Sequence, residues 1–466
     1  MTALWSSTEM EAVTLGQASE SFAATGISID TRTLNRGDLF VALKGDARDG
    51  HEFVPAAFDA GAAAALVSRT SATLDERSPC LRVAHTQRAL EDLGRAARLR
   101  SHAKVIAVTG SAGKTTTKEM LRRAVGALGS THASASSYNN HWGVPLSLAA
   151  MPREAEFGIF EIGMNHFGEI RALVNFVRPH VAMITMIGAA HIEFFGSCEA
   201  IADAKSEIFE GIVPGGAALI PADSPYANRL RARARQAGVS RIWSFGSDTG
   251  ADARVTSINE SSSGMRIEAD ILGHVVRCRL GSVGLHLAHN AVAALLAVAA
   301  LDGDVLNAAA ALSDFSALKG RGARFGIEFG AGRIEVIDES YNANPASMAA
   351  ALAVLGRIEP ATGGRRVAVL GDMLELGAAS GSHHAGLAAN IDAAGVDLVF
   401  ASGREIMALW DVLPASRRGA YAATSAEMAP KLLSSLRPGD VVLVKGSFGS
   451  RMSVVIDALK SRALAA

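Results

Sequence analysis

At 466 residues the chain exceeds what one hydrophobic core organises, so about two to four domains are expected. Apolar residues make up 49% and charged residues 20%, which excludes an intrinsically disordered protein. Lysine plus arginine (45) balances aspartate plus glutamate (46), which argues against a dedicated nucleic-acid binder. No uncharged apolar run approaches the roughly 18–20 residues of a membrane span. Three scattered cysteines and the lack of a basic-then-apolar leader lead us to expect a soluble protein of the reducing cytoplasm.

In chain order, short strands Ile27–Asp30, Leu39–Ala42 and Ala64–Val67 alternate with a helical stretch, Glu52–Ala62, which predicts a small α/β module. A helical pattern over Thr86–Arg100 closes it. Apolar runs then recur at Val105–Val108, Phe157–Ile162, Val181–Met186, Ala217–Pro221 and Arg241–Phe245. Strands apolar on both faces with helical crossovers predict a doubly wound, mostly parallel sheet. Alternating residues over 254–283 predict an antiparallel meander added to it. The glycine-rich, basic run Lys319–Arg324 reads as a hinge. Beyond it, strands Ile334–Asp338, Val367–Leu370, Leu398–Ala401 and Val441–Lys445 alternate with helices Pro345–Leu355 and Ser382–Ala394. The fold class expected is α/β in three domains, over residues 1–100, 101–318 and 319–466, the last Rossmann-like.

The run Thr109-Gly110-Ser111-Ala112-Gly113-Lys114-Thr115-Thr116 stands between the strand Val105–Val108 and a helical pattern, Thr117–Leu128. This is the layout of a phosphate-binding loop, in which glycines let backbone N–H groups approach oxyanions at a helix start. Lys114 would reach the terminal phosphates and the Thr115 hydroxyl would ligate Mg²⁺. The first glycine is Gly110, so the usual early glycine five residues before Gly113 is absent; Val108 stands there.

Other polar residues gather just past strand ends, where open α/β sheets place function. Glu161 is placed to hold Mg²⁺ or to cap a helix. His191 suits a metal ligand and a structural residue equally. Lys205, in the helical pattern Cys198–Phe209, reads from composition as a solvated lysine. His289-Asn290 reads as the cap of an apolar helix, Ala291–Leu301. The loop Asp338-Glu339-Ser340-Tyr341-Asn342-Ala343-Asn344 is too polar for one cap and suggests ligand contact. Arg324 at the hinge, and Lys445-Gly446-Ser447 at the last strand end, suit either a phosphate contact or a solvated surface.

Together these motifs resemble the Mur ligases of bacterial cell-wall synthesis, over about residues 27–455. That family's loop reads Thr-Gly-x-x-Gly-Lys-Thr-Thr, which accounts for the missing glycine. The runs Asn139-Asn140-His141-Trp142-Gly143-Val144-Pro145, Glu161-Ile162-Gly163-Met164-Asn165-His166, Tyr341-Asn342-Ala343-Asn344-Pro345 and Gly371-Asp372-Met373-Leu374-Glu375-Leu376-Gly377 carry the resemblance. Within the family they are most similar to the member that adds D-alanyl-D-alanine to UDP-N-acetylmuramoyl-tripeptide. The resemblance implies ATP and Mg²⁺ as cofactors and an acyl-phosphate intermediate; a monomer is expected, although the sequence leaves the oligomeric state open. It implies Lys114, His191, Lys205 and Arg324 as catalytic residues. Thr115, Glu161, His191 and a carbamylated Lys205 would be the metal ligands. Residues 110–116, Asn290, Arg324, Asp338 and Asn342 would bind the nucleotide. Thr31, Arg32, His51, Asn139, Asn140, Asn165 and His166 would bind the UDP-linked substrate. Two rivals remain: folylpolyglutamate synthase, which usually lacks the first module, and a nucleotide-dependent switch that forms no bond.

Overall fold

The computed structural model describes residues 3–45, 48–69, 78–135, 137–261, 264–330 and 332–464. In the first domain, strands Gly26–Ser28, Asp38–Val41, Ala64–Val67 and Cys80–Arg82 lie parallel in one sheet, and Gln17–Ala18 pairs antiparallel with the last of them. The helix expected over Glu52–Ala62 is shorter. A 3-10 turn, Gly50–Phe53, leads into an α-helix, Val54–Asp59, because Pro55 lacks an N–H and fits only a first turn. The helix Thr86–Arg100 packs against the helix Gly143–Ala149 of the next domain, with Gly94 at the closest approach. A Cβ on Gly94 would lie 3.0 Å from the Pro145 carbonyl oxygen.

The central sheet has nine strands, with Lys104–Thr109 between Phe157–Glu161 and Val181–Ile184 and parallel to both. Along Lys104–Thr109, Ile106 and Val108 enter one apolar cluster while Val105 and Ala107 enter the other. Both faces are therefore covered, as a parallel sheet with crossover helices requires. The meander is present as Ala253–Ser261, Gly264–Ile271 and His274–Leu280. It continues the same sheet, since Ala253–Ser261 pairs in parallel with Arg241–Gly246.

The helix expected from Ala291 begins earlier, at Leu285, and runs to Ala300. It is apolar around most of its circumference and buried against the sheet. His289-Asn290 is therefore the second turn of this helix and does not cap it. Asn290 is buried at 6% exposure and lies on the turn that faces the phosphate loop, where a Cβ on Gly113 would come within 3.3 Å of its side-chain amide.

In the third domain a six-stranded sheet runs in the order Ala323–Phe329, Gly332–Glu339, Val441–Lys445, Arg366–Gly371, Leu398–Ser402, Arg418–Ala422. All pairs are parallel except the first. The two outermost strands were not anticipated. Edge strands are half-exposed and lose the apolar run that marks a buried strand. As a result, the residues read as the end of the hinge, Ala323 and Arg324, already belong to a strand. No helix among the described residues is long and apolar enough to cross a membrane.

Candidate active site

The phosphate loop follows strand Lys104–Thr109 directly, and its helix, Lys114–Gly126, begins at the lysine. Gly110 and Gly113 both have positive φ, at 154° and 83°. A Cβ on Gly110 would lie 1.9 Å from Thr185 Oγ1, so only glycine fits there. The loop is braced from the neighbouring strand end. Thr185 Oγ1 donates to the Ala112 carbonyl (2.5 Å), and Ser111 Oγ donates to the Gly188 carbonyl (2.9 Å). Lys114 folds back over the loop and donates to the Gly110 carbonyl at 2.8 Å. Burial holds its ammonium below the ordinary lysine range; the Glu161 carboxylate opposes that shift and Arg321 adds to it.

Glu161 ends the strand Phe157–Glu161, opposite Val108, with only 1% of its surface exposed. Its carboxylate accepts from Thr115 Oγ1 (2.7 Å) and from Asn139 Nδ2 (2.8 Å). Three residues called from separate motifs thus meet at one buried carboxylate. His191 has a left-handed backbone (φ 61°) and caps the short helix Ile192–Phe195. Its Nδ1 pairs with the Glu375 carboxylate of the third domain. Lys205 lies in the helix Cys198–Ser206 and is 1% exposed, so it is not the solvated lysine that composition suggests. Burial, and then the charge of Lys114, push its ammonium well below the ordinary range. Among the described residues no carboxylate pairs with it. Lys114, Glu161, His191, Lys205, Asn290 and Asn342 line one cavity of about 610 Å³.

The third domain closes this cavity from above. Asn344 Nδ2 donates to the Ser111 carbonyl of the phosphate loop at 3.1 Å. The Asn344 Oδ1 accepts from Ser347 N (2.9 Å) and caps the helix Pro345–Gly356. Lys445, 2% exposed, donates to the Asn342 carbonyl (3.0 Å) and to Glu339 (3.1 Å), so it supports the loop from beneath. Asp338 does not line the cavity. Its buried carboxylate accepts from Gly320 N (3.0 Å) and from the Ser340 hydroxyl (2.6 Å), which fastens the hinge.

Arg324 departs from expectation. On its strand it pairs with Glu335, and both line a separate cavity of about 690 Å³ between the meander and the third domain. The arginine that reaches the phosphate-loop cavity is Arg321, three residues earlier and still in the hinge turn. Its guanidinium stacks on Tyr341, 3.9 Å from the ring centroid. Arg321 Nη2 (3.3 Å) and the Tyr341 hydroxyl (2.9 Å) both donate to Ser137 Oγ of the second domain. Nothing in a glycine-rich run holding two arginines separates them by sequence; the start of the strand does.

A second cavity of about 780 Å³ adjoins the first, sharing Asn139 and Asn165, and extends past Asn140 and His166 to Glu91 and Arg95 on the helix Thr86–Arg100. The Asn140 Oδ1 accepts from Trp142 N (3.2 Å) and Gly143 N (2.9 Å), so its side chain also starts the helix Gly143–Ala149. Glu169 accepts from Asn165 N (2.6 Å) and contacts His166 Nδ1 (3.1 Å).

Thr31, Arg32 and His51 line neither cavity. Arg32 is exposed and pairs with Asp30. His51 is buried at 5% exposure, its Nε2 accepting from Ser68 N (3.0 Å) and its Nδ1 donating to Asp49 (2.6 Å). Both ring nitrogens are therefore engaged internally. His51→Ala should destabilise the protein by about 1–3 kcal/mol in urea unfolding, the cost of stranding these partners. A loss of substrate affinity with unchanged stability would return His51 to the binding surface.

A glycine loop starting a helix, a buried carboxylate held by the loop's hydroxyl, and a second α/β domain seated on top define a phosphate-loop enzyme that acts between domains. The chain belongs to the Mur ligase family. The family models match in three consecutive segments: "Mur ligase family, catalytic domain" over residues 23–105, "Mur ligase middle domain" over 108–298, and "Mur ligase, glutamate ligase domain" over 323–448. The chain is 36% identical to the UDP-N-acetylmuramoyl-tripeptide–D-alanyl-D-alanine ligase of Escherichia coli, over 93% of each chain. It is 32% identical to the Rickettsia prowazekii enzyme of the same name, over 97% of this chain and 99% of that one. A crystal structure of MurF from Acinetobacter baumannii superimposes with a TM-score of 0.84 at 33% identity, covering 98% of this chain and 99% of that one. MurF ligase from Thermotoga maritima, solved in complex with ADP, gives 0.77 at 25% identity and covers 94% and 98%.

Proposed function

We propose that this chain joins D-alanyl-D-alanine to the terminal carboxylate of UDP-N-acetylmuramoyl-tripeptide, converting ATP to ADP and phosphate and giving the UDP-linked pentapeptide of peptidoglycan synthesis. The observation that carries the reading is the joining of two cavities at Asn139 and Asn165. The phosphate-loop end suits ATP, and the end toward the first domain suits a long UDP-linked peptide. Residues 1–100 then receive the UDP end, with Thr31 and Arg32 as surface contacts, residues 101–318 hold the nucleotide, and residues 319–466 close over both. The reaction is that of a cytoplasmic precursor.

The donor set fits Mg²⁺. Glu161 is a buried carboxylate beside the Thr115 hydroxyl. No group of three or more acidic, histidine or cysteine side chains forms a metal cage among the described residues. Few protein oxygens plus substrate phosphates is how Mg²⁺ is ordinarily held. Thr115 and Glu161 would hold one ion, and His191 and Lys205, the latter as its carbamate, a second. The bound ions would neutralise charge developing on the phosphates.

A carboxylate is a poor electrophile, so its activation comes first. The carboxylate oxygen of the tripeptide attacks the γ-phosphorus, the bond to the β-phosphate oxygen breaks and ADP leaves. Lys114, over the loop, holds the transferring phosphoryl group. The free amine of D-alanyl-D-alanine then attacks the acyl carbon, loses a proton, and expels phosphate. Asn290 and Asn342 face the nucleotide, and the Asn344 contact keeps water from the acyl phosphate by holding the third domain down. Arg324 braces the first two strands of the third domain through Glu335, and Asp338 fixes the turn at Gly320. Phosphate release should require both UDP-N-acetylmuramoyl-tripeptide and D-alanyl-D-alanine. Hydrolysis indifferent to both would mean a nucleotide-dependent switch instead.

A further inference from the structure

The run Gly371–Gly377 is a marked motif that the phosphate chemistry leaves without a task. It lies in the third domain, yet its middle reaches the second domain at His191. Nδ1 of His191 is shielded from solvent, has no hydrogen bond of regular geometry, and meets the Glu375 carboxylate in an ion-pair contact. The backbone is joined at the same corner, where Glu193 N donates to the Glu375 carbonyl at 3.2 Å. Ile192 packs against the apolar clusters of both domains. Gly377, at φ 57°, sits so close that a Cβ would lie 3.3 Å from the Glu193 Cα. His191 and Glu375 themselves both adopt left-handed backbones, at φ 61° and 62°, which few side-chain-bearing residues do. Two strained residues facing each other across a domain boundary indicate a contact that the surrounding structure holds in place.

We propose that Glu375 is a positioning residue delivered by the third domain, which orients the His191 imidazole for cation binding only when that domain is docked. A histidine whose Nδ1–H donates to a carboxylate presents Nε2 with its lone pair free, the form a cation requires. Nε2 is the ring nitrogen left for the cavity that His191 shares with Lys205. Docking of the third domain and completion of this cation site are then one event, so phosphoryl transfer cannot begin over an open cleft. The inference rests on the reading of His191 as a cation ligand.

The test uses the full-length protein with ADP, and Mn²⁺ as the probe. Glu375→Ala should weaken Mn²⁺ binding by about 10–100-fold, the usual effect of removing a carboxylate behind a ligating histidine. Glu375→Gln keeps an acceptor oxygen and should recover most of that loss. In ¹⁵N-histidine-labelled protein, His191 should be protonated at Nδ1 in the wild type and lose that preference in Glu375→Ala. A merely structural contact would move this spectrum too but leave the Mn²⁺ affinity unchanged. Folding of each variant is checked by its melting temperature. Unchanged affinity for the second Mn²⁺ in Glu375→Ala, where His191→Ala removes that second ion and leaves the one at Thr115 and Glu161, would overturn the proposal. If His191→Ala binds Mn²⁺ normally, the ligand reading fails; an unchanged His191 tautomer in Glu375→Ala then overturns the positioning role as well.

Discussion

Lys205→Ala should lower kcat by about 10³-fold, and acetate or another short carboxylate should restore part of the activity. The loss corresponds to about 4 kcal/mol of barrier, in the range found when one preorganised charge-stabilising group is removed. Lys205 is 1% exposed, and its ammonium is disfavoured first by desolvation and then by Lys114. An unpaired buried ammonium is costly, so a lysine kept there serves as something other than a cation. A neutral amine adds CO₂ to give a carbamate, releasing a proton and turning an unfavourable second cation into an anion. That anion would offset Lys114 and supply a hard oxygen beside His191. A small carboxylate diffusing into the space left by alanine can take its place, whereas it cannot replace a lysine that acts as a cation or as packing. Unchanged turnover in Lys205→Ala, or a loss that no carboxylate relieves, would leave Lys205 a structural residue.

Lys114→Ala should reduce turnover by at least about 10³-fold with little effect on the binding of the UDP-linked substrate. Its ammonium folds onto the Gly110 carbonyl at 2.8 Å, poised where the γ-phosphate would arrive. Removing it leaves the transferring phosphoryl charge facing the loop amides alone. Lys114→Arg should not rescue, because a planar fork cannot occupy the compact space of a point charge at this turn. Acyl-phosphate formation, trapped by borohydride reduction, separates this step from amide formation. Near-wild-type trapping in Lys114→Ala would remove the lysine from the first step.

The sequence carries most of the sheet order because strands buried on both faces declare themselves as apolar runs. Val105–Val108, Phe157–Ile162 and Val181–Met186 are such runs, and their ends locate Gly110, Glu161 and the Thr185 brace. Edge strands declare themselves poorly, so the residues alone leave Arg324 between a phosphate contact and a solvated surface. Only the pairing of Ala323–Phe329 with Gly332–Glu339 shows that Arg324 faces Glu335 and that Arg321 has the cavity. Burial of Lys205 is likewise invisible locally, since its helix is amphipathic in the ordinary way and its neighbour Lys114 is ninety-one positions earlier. The internal hydrogen bonds of His51 to Asp49 and Ser68 are equally invisible in the motif that carries it. The contact of Asn344 with Ser111 and that of Glu375 with His191 cross domains and leave no periodic trace.

The central claim is that a peptide carboxylate, and not water, attacks the γ-phosphate held at Lys114. UDP-N-acetylmuramoyl-tripeptide labelled with ¹⁸O in its terminal carboxylate, turned over with ATP and D-alanyl-D-alanine, tests it directly. One labelled oxygen should appear in each phosphate released, in step with amide formation. Phosphate free of ¹⁸O, with the amide still formed, would contradict an acyl phosphate as the intermediate.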